Sequence, residues 1–360
     1  MSKITKIYKN KRLNLSNVNN SFISAADIKY RFNLVTFLII YSLFFYYAPE
    51  YFWVSNILTL LVYNIFKMIL ILKSINIEKY DHYHNKFPRN YFKIKFSRKN
   101  LPLYTIFIPL YKEEEKIQSI LNNINKLNYP KNKLDVKLII EEQDLSLIKF
   151  IEKNVKFKRY VHLIKVPNFL PLTKAKAMNY ASRYIKGKYL AVYDAEDKPD
   201  INQLLKSLYY FKKLPKEYVC IQANLCFYNK TENNLTKLFN LEYSVWFGLL
   251  LKTISTNNLI VPLGGTSNHF KVKYLKKVGF WDAYNVTEDA ELGIRLYLNQ
   301  YKTYVMNSYT LEESPISINS WIKQRTRWIK GFIQTSFIIL SYKNLSTKVT
   351  KYNLFSYIIS

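Results

Sequence analysis

An acidic turn, Asp194-Ala195-Glu196-Asp197, directly follows an apolar run over 188–193 that predicts a buried strand. Carboxylates at this spacing can bind Mg²⁺ or Mn²⁺ through oxygen ligands, and the ion can then bridge the phosphates of a diphosphate leaving group. The same turn also suits the cap of a helix after Pro199, with Asp200 as the N-cap residue. The turn therefore predicts either a metal site or a helix cap.

A second acidic pair stands in Thr287-Glu288-Asp289, at the start of a helix predicted over 289–299. A carboxylate in this place, Asp289, can serve as a general base toward an acceptor hydroxyl. In the alternative interpretation, Thr287 caps the helix while the two carboxylates complement the positive end of the helix dipole. The two roles do not exclude each other.

A third polar group is Gln324-Arg325-Thr326-Arg327-Trp328, which combines an amide, two guanidinium groups and an indole ring. Arginine pairs well with pyrophosphate, and the face of tryptophan suits stacking on a sugar ring. The alternative is an amphipathic helix at the lipid headgroups, where arginine and tryptophan are also common.

These groups must be positioned by the elements from residue 101 onward, where short apolar runs alternate with amphipathic stretches. The pattern predicts an α/β fold with a mostly parallel sheet, whose ligands bind at the C-terminal ends of the strands. The predicted strands cover 103–110, 136–140, 161–166, 188–193, 219–223 and 303–306. The predicted helices cover 113–127, 174–185, 201–212, 235–250 and 289–299. None of the 7 glycines forms a GxGxxG or GxxxxGK loop, which disfavours a dinucleotide-binding or P-loop enzyme.

Two nearly uncharged runs, 32–48 and 51–72, precede this domain and are separated by Pro49-Glu50. They predict two membrane-spanning helices in a tight hairpin, because a span needs about 20 apolar residues. A buried hairpin in a soluble protein is the alternative, but both runs are apolar on every face. The basic flanks predict that both ends of the hairpin are cytosolic. We therefore expect a multi-pass protein of the bacterial inner membrane with a cytosolic catalytic domain.

The net charge of +29 is spread almost from end to end of the chain, with its densest stretches beside the apolar runs. This distribution favours membrane lipids as partners, or a lysine-rich proteome, over nucleic acid, which we do not expect as a partner. The two cysteines, Cys220 and Cys226, stand in an apolar stretch and are interpreted as buried small hydrophobic residues.

The three polar groups, together with Pro109-Leu110-Tyr111-Lys112-Glu113 after the first strand, resemble the signatures of glycosyltransferase family 2 in its cellulose-synthase-like, membrane-embedded branch. Asp194-Ala195-Glu196 is similar to the DxD signature, Thr287-Glu288-Asp289 to TED, and the Gln324–Trp328 segment to QxxRW. The resemblance covers roughly 103–328 together with the preceding hairpin, and four signatures in the right order are far more specific than one.

The resemblance implies a GT-A fold, which is Rossmann-like, and an inverting displacement in which an acceptor hydroxyl attacks the anomeric carbon as nucleoside diphosphate departs. It implies Asp289 as the base and Mg²⁺ or Mn²⁺ as the cofactor, held by Asp194 and Glu196. It places on the donor side Pro109, Glu113, Glu142, Lys174, Asn179 and Asp194. It places on the acceptor or diphosphate side Gly265, Thr266, Glu288, Gln324, Arg327 and Trp328.

The sequence departs from the family pattern at two places. The DxD site ends in Glu196 with Asp197 adjacent, so the second metal ligand is either of the two. In the acidic pair after the second strand, Glu142 matches the nucleotide-contacting carboxylate best and Asp144 is the competitor.

The expected domain order follows from these segments. It comprises a basic cytosolic tail (1–31), two transmembrane helices (32–73), a basic linker (74–100), a GT-A domain (101–317), a QxxRW and interfacial helix region (318–345), and a segment (346–360) similar to the start of a truncated transmembrane helix.

The expected function is sugar transfer from a nucleotide-sugar donor, UDP-glucose or UDP-N-acetylglucosamine, to a growing polysaccharide, with other polysaccharide-export subunits as partners. The alternatives are a non-processive transferase whose acceptor is a lipid carrier, and a catalytically silent membrane scaffold of an envelope complex. Because only a short stretch follows Trp328, we expect a shortened form of a longer relative.

Overall fold

The computed structural model describes residues 24–27, 30–75 and 100–341. The predicted basic tail and basic linker lie largely outside these residues, and the segment 346–360 lies wholly outside them.

The strands of the described domain form one sheet. They are β1 (Tyr104–Leu110), β2 (Leu134–Glu141), β3 (Val161–Val166), β4 (Tyr189–Val192), β5 (Lys198–Pro199), β6 (Tyr218–Phe227), β7 (Asn268–Lys271) and β8 (Lys302–Glu312). Their order across the sheet is β3-β2-β1-β4-β7-β6-β8-β5. The block from β3 to β4 is parallel and β6 is parallel to β8, so the prediction of a mostly parallel sheet is confirmed.

Two short strands were not predicted from the sequence. β7 runs antiparallel to both β4 and β6, and β5 pairs antiparallel with the end of β8. Both strands lack an apolar run, because β7 reads Asn-His-Phe-Lys and β5 is only Lys198–Pro199. Because β7 pairs with β4, the segment that precedes β7 lies beside the segment that follows β4.

The helices cover both faces of the sheet. Two helices precede the domain, namely α1 (Tyr30–Tyr47) and α2 (Pro49–Ile75). Those of the domain are α3 (Glu114–Lys126), α4 (Leu145–Asn154), α5 (Lys174–Ala181), α6 (Gln203–Lys213), α7 (Asn234–Val245), α8 (Leu251–Thr256), α9 (Val272–Lys277), α10 (Glu288–Leu298) and α11 (Ile318–Ser341). A π-helical turn, Trp246–Leu250, joins α7 to α8. The sheet is apolar enough to be covered on both sides, since every residue of β2 is buried.

The structure also contains short 3₁₀ turns, two free cysteines and a buried ion pair. Short 3₁₀ turns cover Ala25–Asp27, Lys131–Lys133 and Ser182–Tyr184. The two cysteines are free thiols, with Cys220 buried and Cys226 half-buried, as their apolar surroundings predict. The charged pair inside β2, Asp135 and Lys137, is buried with its charges 2.6 Å apart, which compensates for their lost hydration.

Helices α1 and α2 correspond to the two predicted spans and bend sharply at Ala48-Pro49. The hydroxyl of Tyr41 donates to Oδ1 of Asn56 at 2.8 Å across the bend. Within the described residues, α2 is the one helix long and apolar enough to cross a membrane, and a shorter apolar stretch of α1 covers Val35–Tyr47. The prediction of two full spans is therefore supported for one helix.

The N-terminal part of the chain contacts the domain at two separate places. The C-terminal half of α2 packs Phe66 and Leu70 into the apolar core beneath the π-helical turn and α8. Residues 24–27, which we call the strap, contact α11 and the loop after α9, where Asp282 receives hydrogen bonds from Ser24 and Ala25.

Candidate active site

Strand β4 delivers the acidic turn to the middle of the sheet edge. The carboxylate of Asp194 lies 2.5 Å from Nζ of Lys174, which also donates to the backbone oxygen of Gly265 at 2.8 Å. Burial lowers the pKa of Lys174, but the charges of Asp194 and Glu288 more than offset this and raise it above its usual value. Lys174 is therefore a fixed positive charge between the acidic turn and the loop before β7.

The other carboxylates of the acidic turn point in different directions. Glu196 forms an ion pair with Lys116 and lines an open cavity of about 590 Å³. Asp197 is fully buried, accepts a hydrogen bond from the backbone N–H of Asp194 at 2.7 Å, and accepts another from the hydroxyl of Thr266. Asp197 thus fastens the acidic turn to the loop before β7, whereas Glu196 is accessible to a ligand.

Asp200 lies in the turn before α6, and its side chain binds that turn without capping the helix. Oδ1 of Asp200 accepts from the backbone N–H of Asn202 at 2.9 Å, and its other oxygen pairs with Lys206. The predicted N-cap position is wrong by two residues, because Asn202 precedes the first residue of α6 and makes no side-chain cap.

Asp289 lies in the first turn of α10, facing the loop before β7. Its Oδ1 accepts from the backbone N–H of Ala290 at 2.8 Å, and a Cβ placed on Gly265 would lie 3.0 Å from its Oδ2. Burial raises the pKa of Asp289 above its usual value. Burial, followed by the charge of Asp289, raises the pKa of Glu288 to about 8. The predicted cap by Thr287 is wrong, because its side chain makes no capping bond.

The segment before this pair, residues 281–287, is called the base loop here. Asn179 in α5 binds Trp281 twice, donating to its backbone oxygen at 2.7 Å and accepting from its N–H at 3.1 Å. The hydroxyl of Thr173 donates to the oxygen of Ala283 at 2.9 Å. The placement of Asn179 does not support the predicted donor contact, because its buried amide is engaged with the base loop.

Helix α11 holds the base loop from the other side. The amide of Asn285 donates to the hydroxyl of Thr335 at 2.8 Å, and Oε1 of Gln334 accepts from the N–H of Val286 at 3.2 Å. A Cβ on Gly331 would lie 2.7 Å from Cβ of Thr287, so only glycine fits at this approach.

The same face of α11 carries Gln324 and Arg327 into the cavity that Glu196 lines. Residues spaced by three or four positions share one face of a helix. Gln324, Arg327 and Gly331 therefore lie on the face of α11 that contacts the base loop. The predicted acceptor side and the predicted base are thus joined by one rigid helix.

The adjoining face of α11 is fixed by aromatic contacts. The guanidinium of Arg325 lies 4.8 Å from the ring centroids of both Trp328 and Phe239, and it forms an ion pair with Glu242 in α7. Trp328 stacks near Tyr243 with centroids 6.4 Å apart. Trp328 is therefore half-buried among aromatic side chains, and its contact with an acceptor sugar stays a prediction.

The donor side was predicted around the ends of β1 and β2. Pro109 is half-buried in β1, and Glu113 precedes α3 with its pKa raised by burial. Asp144 is buried and caps α4 by accepting from the N–H of Leu147 at 3.3 Å. Glu142 is exposed, so it is the carboxylate of this pair that remains open to a ligand.

The carboxylates of the acidic turn fit a hard divalent cation. Asp194 and Glu196 offer oxygen ligands, and each forms an ion pair with a lysine. Across residues 24–27, 30–75 and 100–341, no group of three His, Cys, Asp or Glu side chains surrounds a common metal position. Phosphate oxygens and water would complete the shell, as is usual for Mg²⁺.

Other residues of this region have no motif in the sequence. Lys116 also lies 3.4 Å from Glu313, and so connects α3 to the end of β8. Within the described part of the chain, Oε1 of Glu312 and Oε1 of Gln324 are buried without a hydrogen-bond partner. No local signal predicts the contact of Lys116 with Glu313, because the two lie far apart in the sequence, whereas Gln324 belongs to the segment similar to QxxRW.

Part of the chain matches a known family model, and the chain is similar to two curated proteins. Residues 189–360 match the family model described as "Glycosyl transferase family group 2". The chain is 24% identical over 277 residues to a probable glucomannan 4-beta-mannosyltransferase of Oryza sativa subsp. japonica, covering 73% of this chain and 46% of the relative. It is 25% identical over 264 residues to a probable glycosyltransferase, YdaM, of Bacillus subtilis, covering 71% of this chain and 60% of the relative. The chain thus spans about half the length of these curated relatives.

Among solved structures, a mannosyltransferase from Pyrobaculum calidifontis in complex with GDP-Man and Mn²⁺ is similar in fold. The TM-score is 0.53 at 16% identity, over 82% of this chain and 83% of that one. This likeness confirms the prediction of a GT-A-like α/β fold. The family match over residues 189–360 and the two relatives support the prediction of a glycosyltransferase, and this segment is similar to a glycosyltransferase family 2 domain.

Proposed function

We propose that this glycosyltransferase is a membrane-bound, inverting enzyme that transfers a sugar from UDP-glucose or UDP-N-acetylglucosamine to a growing polysaccharide. One observation supports this most directly. Lys174 binds both Asp194 and the backbone of Gly265, and Gly265 lies directly against Asp289. A leaving diphosphate beside Asp194 and an acceptor hydroxyl beside Asp289 would therefore be held by one connected network.

In the proposed reaction, Asp289 removes the proton of the acceptor hydroxyl while its oxygen attacks the anomeric carbon. The bond from that carbon to the diphosphate breaks on the opposite face, so the configuration inverts. The pKa of Asp289 is raised by burial, and a higher pKa makes a carboxylate a stronger base. Lys174 and Arg327 would stabilise the negative charge that develops on the diphosphate.

A divalent cation at Asp194 and Glu196, when bound, would neutralise and orient the diphosphate. The chain's own contribution is to hold those two carboxylates at the end of β4. Asp197 does this for Asp194 through the backbone N–H. Lys116 does it for Glu196 through the ion pair.

The cavity wall also supports a ligand rich in hydroxyl groups. Gln324 lines this cavity, and its Oε1 is buried without a hydrogen-bond donor among the described residues, which costs about 1–3 kcal/mol. A sugar hydroxyl would supply the missing donor. Attachment to the membrane is proposed through α2, whose side chains are exposed and apolar along most of its length.

The proposal is tested by incubating the detergent-solubilised full chain with UDP-glucose, UDP-N-acetylglucosamine and GDP-mannose, each with Mg²⁺ or Mn²⁺. GDP-mannose is included because the rice relative is named a mannosyltransferase. We expect release of one nucleoside diphosphate, and loss of that release in Asp289→Asn. A product that extracts into organic solvent would identify a lipid carrier as the acceptor. Equal signals from the wild type and Asp289→Asn would contradict the proposal.

A further inference from the structure

Asp282, in the base loop, has an environment that the proposed reaction does not explain. Its side chain is completely buried and accepts three hydrogen bonds. The donors are the hydroxyl of Ser24 at 2.7 Å, the backbone N–H of Ala25 at 2.7 Å, and the backbone N–H of Tyr284 at 3.0 Å. Two of the three donors come from the strap, which is far away in sequence.

The strap is shaped to present these donors. The hydroxyl of Ser24 also accepts from the N–H of Ala26 at 3.2 Å, which fixes the 3₁₀ turn that follows. Ala25 is buried, with 4% of its surface exposed, so the turn is seated on the domain and not merely near it. The strap also contacts α11, which holds the other end of the base loop.

We propose that the strap positions the base loop, with Asp282 as the residue that accepts the hydrogen bonds of the strap. The inference rests on the proposed function of Asp289. The base loop is tied to α5 at Trp281 and to α11 at Asn285, and Asp282 stands between these two ties.

Without the strap, the buried carboxylate of Asp282 would lose two of its donors and would move toward water, because a buried charge needs hydrogen bonds. The loop backbone on both sides of Asp282 would move with it. Asp289 follows the loop directly at the start of α10, so its alignment with the acceptor would be lost before its ability to bind donor.

The test uses two substitutions in the full-length chain. Ser24→Ala removes the hydroxyl, and Ala25→Pro removes the N–H at the first position of a 3₁₀ turn, where proline fits. The matched control is Ser244→Ala, because that exposed hydroxyl bonds only within its own helix, to Asn240. Ser24→Thr retains the hydroxyl and serves as the rescue variant.

Two readouts are measured on each variant. Amide hydrogen exchange over residues 281–287 should become faster in Ser24→Ala, in Ala25→Pro and in the double variant, but not in the control or the rescue variant. The turnover number should fall about tenfold or more while the KM for the nucleotide sugar stays within about twofold.

Unchanged exchange in the double variant would overturn the proposal. Faster exchange with unchanged turnover would also overturn it, because the strap would then hold the loop without affecting the base. The exchange experiment needs no substrate. If Asp289→Asn proves fully active, the proposed function fails, and the exchange result still reports whether the strap holds the loop.

Discussion

Replacing Gly331 with alanine should reduce sugar transfer much more than it reduces stability. The new methyl group would lie 2.7 Å from Cβ of Thr287 and still closer to its Oγ1 and Cγ2. Carbon atoms in contact prefer about 3.5–4.0 Å, so α11 and the base loop must separate by roughly 1 Å. Gln324 and Arg327 lie on the same face of α11 and would be displaced together relative to Asp289.

The two effects of Gly331→Ala differ in size. Overpacking costs about 1–3 kcal/mol, and alanine recovers about 1 kcal/mol through its better helix propensity. The free energy of unfolding should therefore fall by about 0–2 kcal/mol. A misplacement of about 1 Å in a catalytic arrangement costs about 10²-fold in rate, which corresponds to about 2.7 kcal/mol of activation free energy.

The assay compares turnover numbers and thermal unfolding midpoints of Gly331→Ala with those of Gly248→Ala. Gly248 is also helical, and a Cβ there would meet nothing within 4 Å. The control should retain full activity with equal or slightly higher stability. Wild-type turnover in Gly331→Ala at an unchanged midpoint would refute the inferred contact between α11 and the base loop.

Three further predictions concern the same site. Gly265→Ala brings a Cβ to 3.0 Å from Asp289, so turnover should fall several-fold to about tenfold with little change in unfolding temperature, as measured by kinetics and calorimetry. Glu196→Gln should raise the Mn²⁺ concentration needed for half-maximal donor binding. Asp197→Asn should instead lower the unfolding temperature by several degrees. If Asp197→Asn raised the Mn²⁺ requirement and Glu196→Gln lowered the unfolding temperature, the roles of metal ligand and structural residue would have to be exchanged. Because the base must be deprotonated and burial raises the pKa of Asp289, kcat/KM should fall on acidification at a pH above the ordinary aspartate value of about 4; an acidic limb at or below that value in a pH profile would argue against Asp289 as the buried base.

The local features of the site were predictable because each is contiguous in the sequence. The end of β4 is an apolar run followed by carboxylates, and this pattern alone places Asp194 at the edge of the sheet. The start of α10 is equally visible from an acidic pair before an apolar helix. The largely apolar stretch 136–140 of β2 was predicted as a strand for the same reason.

The features that were missed depend on pairs that are distant in sequence. Asp197 could not be distinguished from Glu196 as a metal ligand, because its role depends on the hydroxyl of Thr266 across the sheet edge. Asn179 was assigned to the donor, but its partner is the backbone of Trp281. A cap of α10 by Thr287 was the alternative interpretation, but this side chain makes no capping bond and lies against Gly331 of α11. No periodic pattern in the sequence around Asp197, Asn179 or Thr287 indicates these partners.

The two contacts between the N-terminal part of the chain and the domain have a geometric consequence. A body attached to a bilayer by one helix, as proposed for α2 with its contacts at Phe66 and Leu70, is free to swivel about the axis of that helix. A second attachment away from that axis, at Asp282, removes this rotation. The opening of the cavity would then keep a fixed orientation and a fixed height relative to the lipid surface. An acceptor confined to that surface would meet the base from a single, repeatable angle.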